Sequence, residues 1–95
     1  MAVAVEMNFK GATLDQYEKV MQKMGLTPGG ATPPGAISHW TAKTDEGLRV
    51  VDVWETKEAY DKFAAEQIGP YMSEAGFTGA PEMRVYEVHS YLTKR

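Results

Sequence analysis

"SHWTAKTDEGLRVVDVWE", Ser38–Glu55, decides how this chain folds. Its flanks are rich in Val, Trp and Thr, which suit a pleated, half-buried surface, and "TDEG" between them has turn composition. The stretch predicts strands over Ala36–Lys43 and Leu48–Glu55, with Gly47 free to take a positive φ at the turn. If Thr44 pairs with Gly47 around a two-residue loop, His39 lies opposite Asp52. A bulge shifts the register by one residue and puts Trp40 there instead.

Outward from the hairpin, "AVAVEMNF" (Ala2–Phe9) alternates Val3, Val5, Met7 and Phe9 with Ala4, Glu6 and Asn8, the period of a half-buried strand. "TLDQYEKVMQKMG" predicts a helix. Thr13 and Gln16 form a capping box, Leu14, Tyr17, Val20, Met21 and Met24 share one face, and Gly25 ends it. "LTPGGATPPG" (Leu26–Gly35) is a loop, because three prolines cannot donate to a ladder and two adjacent glycines weaken any regular element. No Gly-Lys-Ser/Thr follows, so it reads as a surface connection or a lid over a pocket, not as a phosphate cradle.

"TKEAYDKFAAEQI" predicts a second helix, capped by Thr56, with Ala59, Tyr60, Phe63, Ala64 and Gln67 turned inward. Gly69–Pro70 is expected to interrupt it before a short turn ending at Gly76. "FTGAPE" reads as a loop, and Met83–Leu92 as the last strand. The order strand, helix, strand, strand, helix, strand is the α+β ferredoxin-like plan, βαββαβ. Right-handed crossovers put both helices on one face of a four-stranded antiparallel sheet. The strands carry apolar or aromatic residues at both parities, so the face without helices calls for a partner, most simply a second copy across a two-fold axis.

Length and composition agree. The 95 residues fit a single domain, 1–95, which buries only about 60–65% of its unfolded surface on folding, so pairing would add stability. A net charge of -3 without a basic stripe argues against nucleic acid as a partner. No stretch approaches a membrane span and Met1–Val5 has no positive n-region, so a cytoplasmic protein is the expectation. The chain has no cysteine, and no close ligand spacing such as His-x-x-x-His, so no metal is expected.

At "VVDVWETKEAY" the sequence resembles a known family. The Trp54-Glu55-Thr56 step from strand to helix, with Tyr60 six residues after the Trp, is similar to the dimeric α+β barrels of the antibiotic biosynthesis monooxygenase family. The resemblance implies a homodimer with a pocket between sheet and helices in each subunit, and oxidation of aromatic polyketides with neither metal nor flavin. Trp54 and Tyr60 match the family's Trp and Tyr. Val50 stands where the family's cofactor-free oxygenases have Asn, and Glu74 where they have Arg. Thr56–Gly76 contains neither the Trp nor the His of the haem-degrading relatives.

With Trp54 turned into the pocket as the resemblance implies, strand periodicity places Asp52 there too, and His39 joins them in the register above. A carboxylate against an imidazole orients the ring and fixes its tautomer, which suits proton abstraction from an acidic carbon or phenol. The same pair also serves as a plain structural hydrogen bond. His89, with Glu87 and Tyr91 on its face of the last strand, is a further catalytic candidate or a polar residue near the sheet edge. Trp54, Tyr60, Trp40 and Tyr71 are the candidate walls for a small aromatic or apolar molecule. The expected activity is mono-oxygenation, or a cyclisation or isomerisation starting from the same proton loss; the alternative is a non-catalytic ligand-binding or accessory dimerising protein.

Overall fold

A computed structural model describes residues 1–77 and 80–93. The strands are β1 (Val3–Lys10), β2 (Ala36–Lys43), β3 (Gly47–Trp54) and β4 (Glu82–Glu87), all antiparallel, in the order β2-β3-β1-β4. Helix α1 (Leu14–Met24) follows β1. After β3 come α2 (Lys57–Phe63), a π-helical segment (Ala64–Ile68) and α3 (Gly69–Glu74). Helical residues Tyr17, Ala59, Phe63, Ile68 and Met72 all pack on a core of Val5, Met7, Phe9, Leu48, Val50, Trp54 and Tyr60. Both helical regions thus cover the same sheet face, as the ferredoxin-like plan requires.

Local signals explain the elements. Thr13 and Gln16 close the capping box reciprocally, and Gly25 ends α1 at φ 72°. Leu14, expected on the inner face, is instead 47% exposed. Gly69–Pro70 does not break the second helical region. The Gly69 N–H reaches back to the Ala64 carbonyl, and this wider π turn admits the Pro70 ring, whose missing N–H would otherwise leave a gap in the α ladder.

The hairpin turn pairs Thr44 with Gly47 through both backbone bonds, N–H to O at 2.8 and 3.3 Å. The register shift lies at the other end of β2, between Ala36 and Ser38, so it leaves His39 opposite Asp52. Gly47 has no positive φ; its glycine is needed for a close approach of β1. β4 stops at Glu87, short of the expected Leu92. The ladder with β1 ends at the Val3–Glu87 pair, followed by one more bond from Val88 N–H to the Ala2 carbonyl. The loop read at 77–82 falls partly on residues 78–79, outside the described residues.

The face without helices is divided. Trp40 and Tyr86 are 48% and 47% exposed there, flanked by Val51 and Val53. Its other end is polar, with the Arg49 Nε–H donating to Asn8 Oδ1 at 2.8 Å and Asn8 Nδ2 donating to Glu6 at 3.1 Å.

Candidate functional site

Strand alternation aims Val50, Asp52 and Trp54 of β3 at the helices, and Leu48, Val50, Asp52 and Trp54 are all buried. The hairpin register then sets His39 and Thr41 of β2 beside them on the same face. His39 Nδ1 lies 2.5 Å from Asp52 Oδ1. A carboxylate only accepts, so Nδ1 carries the hydrogen and Nε2 of the neutral ring is an acceptor. Trp54 Nε1–H donates to the second Asp52 oxygen at 3.3 Å. Asp52 is 5% exposed, and these two donors are what make a buried carboxylate tolerable.

The far side of the imidazole is met from α1. The Tyr17 hydroxyl donates to His39 Nε2 at 2.6 Å, and the two ring planes lie within 4° of parallel. Thr41 Oγ1 is a longer contact to the same nitrogen, at 3.3 Å. Burial raises the Tyr17 phenol above its ordinary value; the Thr41 hydroxyl opposes this, and the charges of Asp52 and Glu18 add to it. Tyr17 therefore stays protonated through the neutral range and can hold this bond as a donor.

These groups stand at the wall of a cavity of about 340 Å³ between sheet and helices. Phe9, Met21, Met24, Val50, Trp54 and Met72 give it apolar sides, and the Leu26–Pro33 loop closes one flank. The loop thus forms a cavity wall. Among the described residues no lysine or arginine lines the space, whereas Glu18 and Asp52 do. Such a lining favours an uncharged, flat ligand over a carboxylate or phosphate, which would find no counter-charge. Among the described residues no three His, Cys, Asp or Glu side chains converge as metal ligands.

The other expected site residues fall elsewhere. His89 lies beyond β4, exposed in a surface depression with Ala2, Ile37 and Glu55, and does not reach the His39 cavity. Tyr71 is half-buried on α3 and absent from the cavity wall. Trp40 borders the cavity only from its rim, since alternation turns its side chain to the face without helices. Tyr60 is buried behind Trp54, edge-on at 5.8 Å, and its hydroxyl donates to Met7 Sδ at 3.4 Å. Of the four proposed walls only Trp54 lines the space with its ring.

Tyr60 carries a testable consequence. Burial, with smaller contributions from Asp52 and Asp61, pushes its phenol from 10.0 up to about 12. The unfolded chain ionises first as pH rises, so this residue's contribution is complete below pH 10.0 and is lost between there and about 12. Urea unfolding across that window is expected to show a shallower alkaline decline for Tyr60→Phe than for the unsubstituted chain.

Tyr17 and Thr41 were not singled out as functional from sequence. Tyr17 stood on the inward stripe of its helix, and Thr41 two residues along the strand from His39, so each had a facing signal without a partner to give it meaning.

With this geometry in hand, solved structures identify the architecture. A candidate antibiotic biosynthesis monooxygenase from Chloroflexus aurantiacus matches with a TM-score of 0.64 at 14% identity, over 96% of this chain and 97% of that one. SnoaB, a cofactor-independent oxygenase from Streptomyces nogalater, matches at 0.60 and 17% identity, over 98% and 97%. A monooxygenase from the ActVA-Orf6 gene of Streptomyces coelicolor, in complex with nanaomycin D, matches at 0.52 and 22%, over 99% and 92%. The chain has the fold of the antibiotic biosynthesis monooxygenase proteins, among which are cofactor-independent oxygenases and small-molecule binders. No protein-family model matches the chain, and neither does any curated protein sequence. No helix among the described residues is long and apolar enough to cross a membrane.

Proposed function

We propose that this protein is a small-molecule enzyme that takes a proton from a flat, uncharged aromatic or polyketide-like carbon acid, with no need of metal or flavin. The observation that carries the reading is the His39–Asp52 pair, 2.5 Å apart, at the wall of an apolar cavity that holds no cationic side chain among the described residues. His39 is the base of the site, and Asp52 holds its tautomer and stabilises the imidazolium that forms. Trp54 fixes Asp52 and supplies an aromatic wall. The resulting carbanion either adds dioxygen to form a hydroperoxide, which loses water with the carbon's second hydrogen and keeps one oxygen atom as a ketone, or is reprotonated or closes a ring elsewhere in the same molecule. Val50, apolar where the family's cofactor-free oxygenases have an amide, favours the second outcome.

The protein would work as a homodimer, joined through the face bearing Trp40, Val51, Val53 and Tyr86, whose exposed aromatics support this arrangement. Sedimentation equilibrium checks it: the unsubstituted chain is expected to run as a dimer, and Trp40→Glu to shift it toward monomer.

Proton abstraction is common to both chemistries, so it can be tested before the natural substrate is known. Anthrone, a flat tricyclic ketone with an acidic methylene, serves as probe under argon in D2O. The protein is expected to accelerate methylene exchange over buffer, and His39→Ala and Asp52→Asn to lower that rate about 100-fold or more while probe binding persists. Binding without exchange in the unsubstituted protein would instead make this a ligand carrier.

A further inference from the structure

Both ring nitrogens of His39 are already occupied. Nδ1 faces Asp52 at 2.5 Å, and Nε2 receives the Tyr17 hydroxyl at 2.6 Å with Thr41 Oγ1 at 3.3 Å. A base acts through a lone pair, and this ring has none turned freely toward a ligand. The Tyr17 oxygen, by contrast, keeps one lone pair beyond that met by the Thr41 hydroxyl while its hydrogen points at Nε2, and Tyr17 itself lines the cavity. Resting on the proton-abstraction reading above, we propose that Tyr17 is the catalytic residue that meets the substrate, with His39 and Asp52 driving it from behind.

The step balances without any further reactant. The substrate C–H bond breaks and its electron pair stays on carbon. The proton passes to Tyr17 Oη while the original Tyr17 hydrogen passes to His39 Nε2. What remains is a neutral tyrosine, an imidazolium between Asp52 and Tyr17, and a substrate carbanion. A half-buried phenol whose ionisation is disfavoured does not accumulate as phenolate, so the two transfers are coupled, and Tyr17 never has to ionise on its own. Once the Tyr17 hydroxyl hydrogen has exchanged with solvent, reversal of the same path returns a solvent-derived proton to carbon. Glu18, the neighbouring acid on α1, lies on the cavity wall but makes no hydrogen bond to this chain of groups.

Tyr17→Phe tests the relay, since it keeps the ring that packs against the core and removes only the oxygen. Anthrone exchange is expected to fall about 100-fold or more, matching His39→Ala, with probe affinity changed less than about twofold. The ¹⁵N shift of His39 Nε2 is expected to move in Tyr17→Phe while that of Nδ1 stays, which requires no substrate and confirms that the variant is folded. Exchange that survives in Tyr17→Phe, or rises because Nε2 has been freed, overturns the relay and leaves His39 as the direct base. An Nε2 shift that is identical in both proteins also overturns it. No exchange by the unsubstituted protein overturns the proton-abstraction reading and the relay together.

Discussion

Trp54→Ala is expected to lower the unfolding free energy by about 3–5 kcal/mol, the cost of emptying a large aromatic site in a close-packed core. The indole is 1% exposed, held edge-on by Tyr60 at 5.8 Å and tilted against Phe63 at 5.1 Å. A loss of that size is a large share of the roughly 5–15 kcal/mol of a typical domain. Urea unfolding measures it. The indole also has an electrostatic task, because its Nε1–H is one of two donors to the buried Asp52. Trp54→Phe separates the two effects: it restores most of the ring but leaves Asp52 Oδ2 without a donor, and should cost about 1–3 kcal/mol. If Trp54→Phe were as damaging as Trp54→Ala, the carboxylate's hydrogen bond and not the packing would dominate.

The same residues show what a sequence makes visible. The pairing of His39 with Asp52 follows from a local rule: a two-residue loop between Thr44 and Gly47 sets every partner beyond it until a bulge intervenes. Both parities of the third strand are apolar, so parity alone did not choose a face for Trp54; the family resemblance at Trp54-Glu55-Thr56 did, and its burial agrees. Tyr17 was not legible, although its inward direction was. Helical spacing tells which way a side chain faces, but how far along the sheet a helix sits depends on packing between distant segments. The end of the last strand, at Glu87 and not Leu92, was hidden for a related reason. Its β-rich surroundings, "VYEVHSYL", suggested that the strand continues, whereas an edge strand ends where its partner ends, and that boundary belongs to β1. At Gly69–Pro70 composition located the disturbance in the ladder correctly but not its form, since a π turn and a break arise from the same missing N–H.

Gly47→Ala is expected to cost about 3 kcal/mol, the upper part of the usual range for overpacking. A Cβ at this position would lie 2.0 Å from the Phe9 carbonyl oxygen and 2.8 Å from the Gly11 nitrogen. Both are backbone atoms, so no side chain can turn away to make room. Relief requires the ends of β1 and β3 to separate, and with them the 2.7 Å bond from Gly11 N–H to the Glu46 carbonyl. For a chain of this length each kcal/mol lowers the melting temperature by about 4–8 °C, so calorimetry should show a drop of roughly 12–24 °C. The site should nevertheless survive. Asp52 lies five residues along β3 and is braced by His39 and Trp54, not by the turn. The His39 Nδ1–H resonance is therefore expected to persist in Gly47→Ala below its melting point. Its loss from a still-folded variant would mean that the turn, and not the packing around Asp52, holds the pair in register.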